Sequence, residues 1–262
     1  MFRLPLAALA ATVAFTLPAI AQEDGEVVKR TRITLGPEVK PAYPGADKMG
    51  FGPFVDVARS DGNDPFSYEA PDEGFGIPVI ALDNVYVGPT LAITGSRKAD
   101  DTVAGLREID TTIEAGVAIQ VDVSDRLYGF SEIRRGIGGH DAFTGQVGLD
   151  YIWRKGDDWL ISLGPRVDWG DAKHQRAYFG VSDSESAASG IAAYRPSGGI
   201  YSAGGTLGGI VRLNERWGLA GYAGYRRLVG DAADSPVTRQ FGTRDQYSGG
   251  IGLTYTFVKR AR

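Results

Sequence analysis

Residues 143–169 read FTGQVGLDYIWRKGDDWLISLGPRVDW, two stretches of alternating character joined by a polar turn. In the first, Phe143, Gly145, Val147, Leu149, Tyr151 and Trp153 share one face, and Thr144, Gln146, Gly148, Asp150 and Ile152 share the other. After Lys155-Gly156-Asp157-Asp158 the pattern resumes: Trp159, Ile161, Leu163, Pro165, Val167 and Trp169 are set against Leu160, Ser162, Gly164, Arg166 and Asp168. Period two is the periodicity of a strand, whose successive side chains point to opposite faces. Trp159 to Trp169 spans about 33 Å at ~3.3 Å per residue, or roughly 25 Å along a membrane normal after a tilt of ~40°. That is the height of the apolar band of an outer-membrane barrel, and aromatic residues at both ends supply its two girdles. A strand of a soluble sandwich usually has only about five or six residues.

The same alternation recurs. Ile113, Ala115, Val117, Ile119, Val121 and Val123 alternate with Thr112, Glu114, Gly116, Ala118, Gln120 and Asp122. Near the end, Tyr247, Gly249, Ile251, Leu253, Tyr255 and Phe257 alternate with Gln246, Ser248, Gly250, Gly252, Thr254 and Thr256. Tight turns fall at 124–126, 155–158, 214–216 and 82–84, whereas 96–109, 136–142, 170–199 and 230–244 are long connections. Short periplasmic turns and long external loops are the asymmetry of an outer-membrane barrel. The fold expected is all-β, a transmembrane antiparallel up-and-down β-barrel over 31–257. Its strands fall near 31–40, 51–59, 65–72, 74–82, 85–95, 110–123, 127–136, 143–153, 159–169, 200–213, 217–229 and 245–257. Twelve strands, an even number, place both termini in the periplasm. Ten is the alternative, because Pro71 and Pro78 sit badly in a central ladder.

Composition closes off other classes. The chain has 262 residues, no Cys, two His and 37 Gly, with a net charge of −4. Disulfides and Cys-ligated metals are excluded, the glycine content disfavours helix-rich folds, and an acidic balance gives nucleic acid no handle. Met1 to Ala21, with Arg3, an apolar run and the small residues Ala19 and Ala21, reads as a secretory signal cut before Gln22. Residues 22–30 read as a polar periplasmic lead-in and 258–262 as a basic periplasmic tail. Lys29, Arg30, Arg32, Lys259, Arg260 and Arg262 then face the periplasm.

Gly252-x-x-Tyr255-x-Phe257 resembles the terminal-strand signal by which outer-membrane barrels are recognised for insertion by the barrel-assembly machinery, although residues 258–262 extend past it. Three further segments are more specific: Gly36-Pro37 to Tyr43-Pro44-Gly45; Tyr178-Phe179-Gly180-Val181-Ser182 with Ala187-Ala188-Ser189-Gly190 and Tyr194; and Leu228-Val229-Gly230-Asp231-Ala232-Ala233-Asp234-Ser235-Pro236. Through them nearly the whole mature chain resembles the MltA-interacting protein (MipA/OmpV) family. The resemblance implies an outer-membrane protein in contact with lipid and lipopolysaccharide. The member that gives the family its name scaffolds a periplasmic lytic transglycosylase to a murein synthase, and relatives are linked to osmotic adaptation or adhesion.

Physically, Ser182-x-x-Glu185 is a capping box and Gly190 a stop, so Asp183 to Ser189 is predicted to form a short helix. With Tyr178, Phe179 and Tyr194 beside it, this loop either folds over or into the barrel mouth or packs on itself. Asp231 and Asp234 read as solvated loop carboxylates, with a divalent ion or a basic group as the alternative ligand. His140 and His174 read as exposed loop residues. No Gly-x-Ser-x-Gly, Walker or His-Glu-x-x-His pattern occurs, so no catalytic residue, cofactor or metal is assigned.

The lumen is predicted to hold Glu114, Gln120, Asp122, Gln146, Asp150, Arg166, Asp168, Arg212 and Arg226. Charges of both signs suit either an ion-paired filling or a narrow passage. Turn register sets Gln146 near Arg166 and Glu114 diagonal to Arg134. The function expected is that of a non-enzymatic outer-membrane scaffold for murein-remodelling enzymes. The alternatives are a small-solute channel and, third, a membrane-embedded hydrolase using His140 or His174.

Overall fold

The computed structural model describes residues 27–261. The signal segment, residues 22–26 of the lead-in and Arg262 of the tail lie outside the described residues. Twelve strands follow one another: β1 Val27–Pro41, β2 Met49–Asp61, β3 Phe75–Gly76, β4 Ile80–Leu82, β5 Val85–Thr94, β6 Thr112–Ser124, β7 Leu127–Ile137, β8 Phe143–Lys155, β9 Trp159–Gly170, β10 Gly199–Arg212, β11 Trp217–Leu228 and β12 Asp245–Ala261. Each of β5 to β12 pairs antiparallel with its sequence neighbour, and β12 joins β1 through pairs such as Leu35 with Leu253. The order around the sheet is β2-β1-β12-β11-β10-β9-β8-β7-β6-β5-β3, with β4 also on β5. The result is a nearly closed barrel, interrupted between β2 and the β3–β4 pieces.

Burial is inverted relative to a protein dissolved in water. Leu35, Ile113, Leu163 and Ile251 are each more than half exposed, whereas Thr34, Glu132, Asp150 and Arg166 are at most 1% exposed. Along β9 the apolar residues Ile161 and Leu163 face out while Ser162 and Arg166 face in. An apolar outer belt with a polar interior requires lipid as the solvent of the outer face. Aromatic rings mark both edges of the belt. Tyr151 with Trp153, and Trp217 with Tyr255, lie 4.7 Å apart at the short-turn end, and Tyr225 with Tyr247 lie 5.3 Å apart at the long-loop end.

Two expectations shift. Residues 65–72 do not form a wall strand: after the turn at Gly62-Asn63 the chain climbs inside the barrel without pairing, and rejoins the wall at β3. The expected 74–82 strand is split into β3 and β4, bridged by Ile77 N–H to Pro89 O (3.4 Å) and Val79 N–H to Val87 O (3.0 Å). The cause is partly local, since Pro71 and Pro78 lack the N–H of a ladder, and partly the pull of buried arginines on Asp72. The wall is also taller than expected at the termini. Lys29 pairs with Lys259 and Arg30 with Val258, so much of the lead-in and tail is strand.

Among the described residues the long loops carry four short α-helices, α1 Ala172–Phe179, α2 Asp183–Ser189, α3 Gly230–Asp234 and α4 Pro236–Phe241, and one 3-10 turn at Ala99–Asp101. Replacing Leu163, at the middle of the lipid face of β9, with Arg is expected to destabilise the barrel by about 2–4 kcal/mol, the cost of a cation at mid-bilayer. Reversible unfolding in lipid vesicles measures it, and an unchanged midpoint is incompatible with a lipid-facing β9.

Candidate functional site

The climbing segment, residues 62–74, is a strap across the lumen. At its base the Phe66 ring lies against the guanidinium groups of Arg30 and Arg32, 4.8 and 4.7 Å from its centroid. Arg30 also pairs with Asp157 at 2.8 Å, and Asp157 accepts the Phe66 N–H at 3.0 Å. Arg30 and Arg32 therefore turn into the barrel base instead of standing free in the periplasm. Higher up, Tyr68 meets Tyr128 edge-on at 5.0 Å.

Asp72 is the hub. It accepts from Arg166 Nη2 (2.9 Å), Arg226 Nη2 (2.6 Å), Thr206 Oγ1 (2.8 Å) and Gln146 Nε2 (3.3 Å). Each arginine holds a second carboxylate: Arg166 reaches Asp150 at 2.7 Å, and Arg226 reaches Asp168 at 3.3 Å. The guanidinium of Arg166 also lies 5.0 Å from the Phe130 ring centroid. Glu73 accepts from Gln120 (2.7 Å), and Glu132 accepts the Gly74 N–H (2.8 Å). A side chain at Gly148 would collide with the Phe130 ring 2.2 Å away, so glycine makes room for this ring.

The predicted lumen residues thus largely converge. Arg134 Nε bonds Glu114 at 2.9 Å, the expected diagonal, and Gln146 and Arg166 meet through Asp72. Asp122 lies low on β6, half-buried. Arg212 is a correction: it is exposed at the short-turn end and pairs with Asp158. Its parity is inward, but it sits too close to the turn to reach the lumen. Sequence reasoning missed Asp72, which a strand reading put in the wall, and Glu73, which it put in the turn between two strands.

The lid is built by the long loops. Asp171 caps α1 by accepting from His174 N–H at 2.7 Å, and also holds Phe143 N–H at 3.0 Å. On α1, His174, Tyr178 and Phe179 are all buried. Ring centroids of His174 lie 5.1 Å from Tyr178, 5.1 Å from His140 and 5.0 Å from Tyr201, and Tyr43 stacks on Tyr178 at 6.4 Å. The reading of His140 and His174 as exposed is therefore overturned, because α1 folds into the mouth and takes His174 with it. His140 lies against Glu114 at 3.2 Å through Nε2, while its Nδ1 accepts the Ala142 N–H at 3.2 Å. Both ring nitrogens of His140 are thus engaged within the chain.

The α2 capping box forms as read. Ser182 N–H donates to Glu185 at 2.8 Å, Glu185 N–H to Ser182 Oγ at 3.3 Å, and Gly190 ends the helix at φ +76°. Burial pushes the Glu185 carboxyl up, but the Ser182 hydroxyl and N–H and the Arg107 donors outweigh it and hold it at about 2. Gly180 follows α1 as its C-cap, and Val181 bridges Tyr194. Tyr194 donates to Asp231 O (2.9 Å), Asp231 accepts from Ser197 N–H and Oγ (2.9 Å each), and Asp234 pairs with Arg239 and Arg244. The basic partners of Asp234 are thus this chain's own. Ser235 Oγ donates to Phe179 O at 2.7 Å, and Tyr43, Tyr178, Phe179, Leu228 and Ala232 share one buried cluster. The three segments that carry the family resemblance meet in this lid.

Between strap and lid lies a chamber of about 280 Å³, bordered by Glu38, Glu114, Asp168, His174, Tyr222 and Arg226. A family model described as MltA-interacting protein MipA matches residues 33–257. No curated protein matches the chain. Among solved structures, an outer membrane channel (COG4313) of Pseudomonas putida F1 aligns at 10% identity and TM-score 0.43, covering 90% of this chain and 97% of the other. The translocator domain of the autotransporter NalP from Neisseria meningitidis aligns at 12% identity and TM-score 0.42, covering 90% of each. The channel DcaP of Acinetobacter baumannii aligns at 9% identity and TM-score 0.38, covering 92% of this chain and all of that one.

Two predictions concern the lid. Burial, reinforced by the neighbouring His140, pushes the His174 imidazole down to about 3, so the ring is neutral when the lid is closed. An opened lid returns it to about 6.5, and the open form then binds the extra proton. Closure is therefore expected to weaken progressively as pH falls from 6.5 toward 3, seen as faster amide exchange in 171–190, with a shallower trend in His174→Phe. Ser182→Ala is expected to cost about 1 kcal/mol of local stability at the α2 cap, read by the same exchange.

Proposed function

Because the chain belongs to the MltA-interacting protein family, we propose that this outer-membrane β-barrel of the Gram-negative envelope is a non-enzymatic adaptor. It holds murein-remodelling enzymes, a lytic transglycosylase and a murein synthase, against the inner surface of the membrane. The observation that supports this reading is the strap. Its contacts reach β1, β6, β7, β9, β10 and β11, so the resting lumen is occupied across its width and a standing pore is disfavoured. The surface that faces periplasmic enzymes is the rim at the short-turn end. There Arg216 in the turn before β11, Lys259 on β12, Lys29 on β1 and Arg59 on β2 are exposed, interspersed with Glu215 and Asp61. Across the ladder Lys29 faces Lys259 on one side and Asp61 on the other, so the rim carries both signs with the basic one in excess, which suits an acidic partner surface.

The test is capture of periplasmic lytic transglycosylase by the purified barrel. Enrichment over an unrelated barrel is expected, and it is expected to fall when Lys29, Arg59 and Lys259 are all changed to Glu. Equal recovery on both barrels removes the reading.

A further inference from the structure

The interruption in the wall has a direction. β2 runs from the loop end to the periplasmic end, and so do β3 and β4, which are antiparallel to the rising β5. Across this slot, two descending neighbours present unpaired edges that an ascending strand would pair antiparallel on both sides. The chain between them, 62–74, ascends, but inside the lumen.

The strap carries the pattern of a strand for that slot. Glu73 N–H already donates to Ala70 O at 3.1 Å, closing a turn around Pro71 and Asp72. Counting back from that turn sets Tyr68 opposite Phe75 and Phe66 opposite Ile77. Phe75 and Ile77 face lipid, 52% and 54% exposed, so Tyr68 and Phe66 would face lipid beside them, with Ser67 and Glu69 toward the lumen. Pro71 falls within the turn and Pro65 at the start of the strand, the places where a missing N–H is tolerated.

We propose that residues 62–74 are a wall strand folded inward, and that the protein is a gated conduit for small polar solutes. With the strap in, the lumen below the lid is filled and the slot is open; with the strap out, the slot is filled and the lumen below the lid is cleared, which leaves the mouth loops as the remaining barrier. Unpaired backbone along the slot favours the outward position, because lipid offers no hydrogen-bond partner. The bonds of Asp72 to Arg166 and Arg226 favour the inward one. When Asp72 leaves, Arg166 keeps Asp150 and Arg226 keeps Asp168, so the cations left behind remain paired.

The chain has no cysteine, so introduced pairs report cleanly. Tyr68→Cys with Phe75→Cys places one thiol in the lumen and one toward lipid while the strap is in, and side by side when it is out. Oxidation in membranes is expected to yield this disulfide and to hold conductance steps open in planar bilayers until a reductant is added. Pro71→Cys with Gly208→Cys, whose positions touch in the resting barrel, is expected to abolish conductance steps when oxidised. Asp72→Ala is expected to increase their frequency. Failure of the Tyr68→Cys, Phe75→Cys disulfide to form in a folded barrel overturns the proposal, as does conductance identical in the oxidised and reduced Pro71→Cys, Gly208→Cys barrel. Neither outcome bears on enzyme capture at the rim.

Discussion

Unpaired backbone amides are costly in hydrocarbon, and this constraint organises the molecule. Strands that span a bilayer are driven to pair with neighbours, which carries the sheet round through β12 and β1 until only the interruption between β2 and β3 is left. Once the ring exists, one side-chain parity must suit lipid and the other must be satisfied within. Ile161 and Leu163 outside, with Ser162 and Arg166 inside, follow from that division along a single strand. The aromatic edges are its upper and lower limits.

The interior then faces its own problem, because the inward parity delivers charges into a space with little water. Burying an ion is tolerable only when it is paired and hydrogen-bonded. The lumen meets this by sharing: Asp72 serves two arginines, each with a second carboxylate, and Glu114 bonds Arg134, Thr94 and His140. Such a network specifies one arrangement of the staves, since a register slip would strand several ions at once. It adds specificity more surely than net stability.

Much of this was legible because it is periodic and local. Strands, tight turns, long loops and the Ser182–Glu185 cap each announce themselves over a few residues, and the Glu114–Arg134 diagonal follows from turn register alone. The strap was misread for the same reason. Phe66, Tyr68 and Ala70 alternate like a wall strand, and nothing nearby indicates that Asp72 meets Arg166 and Arg226, far along the chain. His140 and His174 likewise look like loop residues until α1 turns into the mouth. Arg212 had the right parity at the wrong height, a coordinate that alternation does not encode.

That misreading has physical content. A segment whose pattern suits the wall, yet which lies in the lumen beside a slot of matching direction, has two places where its preferences are met. In the lumen its carboxylates are paired and the slot's edges are not; in the wall the edges are paired and its carboxylates must find other partners. Local pattern and long-range electrostatics thus favour different positions for the same residues. The cation pairs that Arg166 and Arg226 retain with Asp150 and Asp168 keep the rest of the barrel indifferent to which of them prevails.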